Sequence, residues 1–300
     1  MEIETYLSKR KKTKDKSINF FCYTELISNN FLANKWKKKI FVLPSFIIFP
    51  IIRLNRIVCK FTSFNQSYIE LSLNVFQYNL FSDDEVKIEF TEKEIEYAEK
   101  KLKENGIHDL NKIVCLMVRD GKYLENVMKL NPENYNHRDA DIDSYLELVK
   151  FLIKKGFYVI RMGAVNEKKL NYQNKKYYEF SESKFYSELM DLYLSYKCRF
   201  AISTGTGWEV MPAFIFKKPM LFTNFIPYLG AFTASENFFF LFKKYKLIKK
   251  NEYLDFNKIF DLEMKFETGN FDKSVICFED NNKYELLSAI EKFTKYLEFG

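Results

Sequence analysis

The sequence predicts an α/β protein whose larger part is a parallel sheet covered by helices, and three observations carry that reading. From about residue 105 onward, short apolar runs alternate with amphipathic stretches, the signature of successive βαβ units. Gly106 and Gly156 each follow an amphipathic stretch, where a left-handed residue ends a helix. Hydrophobic residues make up 47% of the 300 and charged residues 29%, a balance that builds a core and excludes disorder.

Each element follows in order. Lys9, Arg10, Lys11, Lys12, Lys14 and Lys16 make residues 1–16 a solvated basic arm. Residues 18–23 and 40–43 read as short buried strands, with a polar helix over 28–38 between them. The apolar segment 44–59 is flanked by Lys37, Lys38, Lys39, Arg53, Arg56 and Lys60. It is either a core element with basic ends or a docking surface for anionic lipid. Residues 91–106 spell a helix: Thr91 caps, Glu94 completes a capping box and Gly106 stops it.

A strand is expected over 112–118, then a loop to about 139, a helix over 142–155 and a strand over 157–162. A short strand near 177–180, a helix over 184–196 and a strand over 200–203 follow. After a turn at 204–207 come a helix over 208–215 and a strand over 219–223, and a helix over 283–297 closes the chain. Residues 106–300 are thus expected to form a Rossmann-like domain. Residues 1–105 are expected to form a smaller, reduced α/β domain.

Charge and cysteine content narrow the function. Residues 1–60 hold 13 Lys/Arg against four Asp/Glu, whereas the other 240 hold 34 against 36. A uniform basic surface for nucleic acid is therefore not indicated, and no recognition motif accompanies the lysines. The cysteines (Cys22, Cys59, Cys115, Cys198, Cys277) are odd in number and lack any CxxC pair. That rules out a zinc ribbon and points to a reducing cytoplasm. The apolar run 40–52 is too short to span a bilayer.

Open parallel sheets bind ligands beyond the carboxyl ends of their strands. Four such places can be read: Arg119–Tyr123, Arg161–Gly163, Ser203–Gly207 and Asn224. In Ser203-Thr204-Gly205-Thr206-Gly207, small residues between a strand and a helix let backbone N–H groups approach a phosphate. The same spelling suits a plain strand-to-helix turn. It is neither a Walker A loop nor a GxGxxG fingerprint, and no Gly-x-Ser-x-Gly elbow makes Ser203 a nucleophile.

Arg119 either forks onto a diphosphate or pairs with a nearby acid, and Arg161 has the same two readings. Asp141 and Asp143 precede a helix, where acids cap, although their spelling also suits a DxD metal clamp. His137 lies in a loop near the sheet's carboxyl edge, as a general base or a surface residue.

Four blocks together resemble a family of bacterial glycosyltransferases found with lipopolysaccharide and O-antigen biosynthesis. They are residues 114–124 (VCLMVRDGKYL), 137–145 (HRDADIDSY), 156–163 (GFYVIRMG) and 202–227 (ISTGTGWEVMPAFIFKKPMLFTNFIP). The likeness covers most of 90–245 and extends more weakly to 27–36. It implies a GT-B-like architecture, a nucleotide-sugar donor held by the C-terminal domain, and no metal or other cofactor.

The Arg119 block is similar to the arginine donor motif of GT-B fucosyltransferases, which implies a diphosphate-binding role for Arg119. The resemblance carries that role to Arg119 alone; the residues themselves add Arg161, Ser203, Thr204, Gly205, Thr206, Gly207 and Glu209 as donor-binding candidates, and His137 or Asp139 as the base for the acceptor hydroxyl if the reaction inverts. The family carries Asn where Asp139 stands. The Glu-x7-Glu signature of many retaining enzymes is missing, since Lys217 follows Glu209 at that spacing.

The expected partners are the donor and a glycan or lipid-linked acceptor, with peripheral membrane contact through 35–60. The alternative is a catalytically silent Rossmann-like subunit that docks a partner or membrane through its basic N-terminus.

Overall fold

The computed structural model describes residues 3, 6–7, 10, 18–23, 26–61, 88–233, 236–265 and 274–299. The basic arm expected over 1–16 lies mostly outside them. The chain forms two compact units, Met1–Thr91 and Glu92–Gly300.

In the first unit, β1 (Phe20–Phe21) pairs in parallel with β2 (Phe41–Val42). Between them runs α1 (Asn30–Lys37), whose first turn is capped by Asn29 Oδ1 accepting from Leu32 N–H at 2.8 Å. The apolar segment 44–59 is helical, as part of α2 (Ser45–Phe61).

The second unit begins with α3 (Glu92–Glu104), so it starts before residue 106. Ala98 and Leu102 of α3 are fully buried. Glu99 accepts a hydrogen bond from Tyr193 Oη at 3.2 Å, and Asn105 O accepts one from Tyr178 Oη at 2.8 Å. These contacts tie the helix to the larger core. Gly106 at φ +85° and Gly156 at φ +93° stop the helices before them.

Six strands make the central sheet: β3 (Ile113–Met117), β4 (Tyr158–Arg161), β5 (Tyr177–Glu179), β6 (Phe200–Ser203), β7 (Met220–Phe225) and β8 (Phe238–Phe242). All pairings are parallel, in the order β5-β4-β3-β6-β7-β8. This is the doubly wound order in which the winding reverses between β3 and β6.

Helices α5 (Leu146–Lys154), α6 (Glu188–Lys197) and α8 (Lys283–Phe299) pack on the sheet, while the short α4 (Lys122–Asn126) follows β3 and α7 (Phe256–Lys265) packs its Ile259 against Ile226, Tyr245 and Ile276. Val114, Leu116, Leu148, Leu152, Ile202, Ile290 and Phe293 share one core. Each such side chain contributes about 1.5–3 kcal/mol by leaving water. The helix expected over 208–215 is a π-helical turn over Val210–Ile215. An antiparallel sheet of β9 (Lys244–Leu247), β10 (Glu252–Tyr253) and β11 (Ile276–Glu279) adds to the unit, in the order β10-β9-β11.

Candidate anion-binding site at the switch of the sheet

The winding reversal opens the crevice where doubly wound sheets take ligands. Two of the expected segments meet there. Arg119 follows β3, Thr204 follows β6, and Arg119 N–H donates to Thr204 Oγ1 at 2.9 Å. Thr204 N–H in turn donates to Met117 O at 3.2 Å. The two strand ends are therefore stitched directly across the switch.

The turn after β6 is held from within. Glu209 Oε2 accepts from Ser203 Oγ at 2.7 Å, from Thr206 Oγ1 at 3.1 Å and from Thr206 N–H. Gly205 N–H donates to Ser203 Oγ at 3.3 Å. The amides of Thr204, Gly205 and Thr206 are thus engaged inside the protein, rather than presented together to a phosphate. Among the described residues the Gly207 N–H has no such bond, and a Cβ at Gly207 would meet nothing within 4 Å. Gly205 stands at φ +82°, and a Cβ there would lie 3.1 Å from the Phe225 ring. Only glycine fits this corner. Burial pushes the Glu209 carboxyl above its ordinary proton affinity, against the bonds it accepts.

One guanidinium group reaches this turn, and a second lies near it. Arg119 is 12% exposed, and its Nε donates to Asp139 Oδ1 at 3.0 Å. Among the described residues no hydrogen bond occupies its Nη atoms. Arg138 reaches across the same turn, its Nη2 donating to Gly205 O at 2.6 Å. Its Nε is shut off from solvent without a partner. Burial, and then the neighbouring positive charge of Arg119, lower the proton affinity of Arg138. Two cations held close together against their mutual repulsion favour an anion between or beside them.

Asp139 anchors this arrangement. Burial raises its carboxyl above the ordinary value, and Arg119 pulls it back down. Its backbone carbonyl accepts from Lys243 Nζ, which also pairs with Asp280 at 2.7 Å and is 3% exposed. His137 lays its ring against Phe278 of β11, with centroids 5.7 Å apart.

Arg161 is placed differently. It is 1% exposed, and its guanidinium sits between Asp120 at 3.6 Å and Glu179 at 3.4 Å while also donating to Lys168 O. It locks the carboxyl end of β4. Asp141 Oδ1 accepts from Asp143 N–H at 3.2 Å and from Lys168 Nζ at 3.1 Å, so it caps the turn before α5. Asn224, at φ +50°, exchanges 2.6 Å hydrogen bonds with Asn281 and donates to Tyr145 Oη. It joins strand to helix inside the core.

Arg138 and Lys243 were missed by residue-by-residue reading. Arg138 stands between two residues that reading did single out. Lys243 follows β8 immediately, so the carboxyl-end rule reaches it once that strand is recognised.

No protein-family model matches the chain, and no curated protein matches it. Among solved structures, the chain is similar to the E. coli ADP-heptose LPS heptosyltransferase II, with a TM-score of 0.39 and 12% identity. The match covers 71% of this chain and 54% of that one. The chain therefore corresponds to about half the length of that protein.

Proposed function

We propose that the protein is a glycosyltransferase of GT-B type that moves a sugar from a nucleotide-activated donor to a bacterial surface-glycan acceptor. The observation that carries this reading is the pair of neighbouring arginines at the switch of a parallel sheet: Arg138 Nη2 donates to Gly205 O, and Arg119, whose backbone N–H donates to Thr204, keeps its Nη edge open beside it. The four sequence blocks that resemble bacterial glycosyltransferases supply these same segments.

In the transfer, the bond between the anomeric carbon and the donor phosphate oxygen breaks, and negative charge gathers on the departing nucleotide. Guanidinium groups already fixed beside that charge lower the barrier, because they need not reorganise as it forms. Arg119 offers its Nη edge as a fork, and Arg138 adds the second positive charge. Glu209 holds the turn rather than the ligand, and Gly207 N–H completes the cradle. Asp139 keeps Arg119 aimed, a bond that the carbonyl of the family's Asn would accept equally.

Asp139 also suits the base for the acceptor hydroxyl better than His137, a role particular to this chain because the family's Asn could not take the proton. Burial raises its proton affinity towards the working range, and among the described residues its Oδ2 carries no hydrogen bond.

Turnover of a panel of UDP-, GDP-, CDP-, ADP- and dTDP-sugars with extracted lipopolysaccharide, read as nucleotide release, tests the reading. One donor is expected to turn over and to persist in EDTA. Asp139→Asn is expected to lower turnover by about 10²–10⁴-fold with nucleotide affinity changed only slightly. Unchanged turnover in that variant would confine Asp139 to aiming Arg119. Binding of no nucleotide would favour the silent docking subunit instead.

A further inference from the structure

The helix α2 has three faces, and the outermost has no covering element among the described residues. At about 100° per residue, Ile48, Ile52, Asn55 and Cys59 fall on one stripe, and these are the positions that turn inward. Ile48 is buried and the other three are half-buried. On the opposite side, Phe46, Ile47, Pro50, Ile51, Leu54, Ile57, Val58 and Phe61 fill an unbroken arc of about 140°. Every one of them is exposed, with Phe46 at 75%, Leu54 at 63% and Phe61 at 83%. Along one border of that arc run Arg53, Arg56 and Lys60, with Phe49 among them, all exposed.

An exposed apolar band of this length is rare on a protein surrounded only by water. The charge beside it names the covering phase. Residues 26–61 carry seven Lys/Arg and no Asp or Glu. A protein partner would have to bring both an apolar groove and a matching acidic rim, whereas an anionic bilayer presents both together. At about 26 Å, α2 is shorter than the hydrocarbon core of about 30 Å. No helix among the described residues is long and apolar enough to cross a membrane.

We infer that α2 lies in the plane of an anionic lipid surface, with the Phe46–Leu54–Phe61 band sunk among the acyl chains and Arg53 and Lys60 on the headgroups. The inference stands independently of the transferase reading, because it concerns the first unit alone.

Flotation of the full chain with phosphatidylcholine vesicles, with and without phosphatidylglycerol, tests it. Binding is expected to vesicles containing phosphatidylglycerol and to weaken as salt rises. Leu54→Glu with Ile57→Glu is expected to abolish it. Arg53→Gln with Lys60→Gln should weaken it by about 30-fold. All of these positions are exposed, so circular dichroism and nucleotide affinity should match wild type, which separates this test from that of the transferase.

Absence of vesicle binding would overturn the inference, as would a Leu54→Glu, Ile57→Glu variant that floats like wild type. A wild-type dimer that ignores vesicles and falls to monomer in that variant would assign the face to a second copy, and equally overturn it.

Discussion

Arg119 and Arg161 end neighbouring strands of one sheet, and in sequence they look alike: each closes an apolar run and each has a glycine two positions on, Gly121 and Gly163. Their surroundings separate them. Arg161 is enclosed by Asp120, Glu179 and the Lys168 carbonyl, so its charge is spent on joining β4 to the loops around it. Arg119 has one carboxylate on its Nε and nothing on its Nη edge among the described residues, beside a second arginine. A strand-end arginine serves the fold when acids close around it. In the function proposed above, it serves a ligand because one acid aims it and leaves the fork open.

The largest effect expected from this contrast is on stability. Arg161→Ala leaves Glu179 and Asp120 facing each other's surroundings without their cation, and should cost about 3–5 kcal/mol. A chemical-denaturation midpoint close to wild type would remove the distinction between the two arginines.

The carboxylate inside the turn comes next. Glu209→Ala strips the hydroxyls of Ser203 and Thr206 and the Thr206 N–H of their acceptor, an expected loss of about 2–3 kcal/mol. Glu209→Gln keeps an acceptor and removes the charge. The Glu209 carboxyl has its proton affinity raised by burial above the ordinary 4.5, so the folded state holds the proton more tightly than the unfolded chain. Its contribution is therefore greatest below pH 4.5 and is lost as pH rises through the raised value. The melting temperature of Glu209→Gln minus that of wild type should consequently be larger at pH 7 than at pH 5. An unchanging difference would show that the turn is indifferent to this charge.

The smallest effect is at Gly207. Because a Cβ there meets open space, Gly207→Ala should alter stability by no more than about 0.5 kcal/mol. A loss of nucleotide affinity without a loss of stability would place the ligand against this glycine. A large loss of stability would mean that the turn needs Gly207 for its own shape.

Most of the sheet was legible because its strands are bounded by clear signals. Phe200–Ser203 sits between the basic end of α6 and a small-residue turn, and Gly156 marks where α5 gives way to β4. The part that was not legible has a physical cause. Strands β8 and β9 are separated by Lys243 alone, so no turn residues divide them. The connection from β7 to β8 includes a 3-10 segment over Tyr228–Thr233, which lacks the 3.6-residue period of an α-helix. With β8 unseen, Lys243 at its end was unseen as well.

At the site, the rule that ligands lie beyond the carboxyl ends of strands pointed to Arg119 and the Ser203–Gly207 turn, whereas the switch between β3 and β6 is visible only in the sheet order. What sequence could not supply was which groups each side chain meets. Glu209 reaches back three residues to fill the turn, Arg138 spans from one loop to the other, and Arg161 finds two acids remote in sequence.

The most direct test of the account is nucleotide binding measured by ligand-observed NMR and calorimetry with UDP, GDP, CDP, ADP, dTDP and CMP. Wild type, Arg119→Ala and Arg138→Ala would be compared at one ionic strength. One nucleotide should bind selectively, and each variant, shown by circular dichroism to be folded at the measuring temperature, should bind it about 10–100-fold more weakly, the worth of a charge-assisted hydrogen bond. Affinity unaffected by either substitution, or no binding by a folded wild-type protein, would contradict the assignment of this switch to an activated sugar's phosphates.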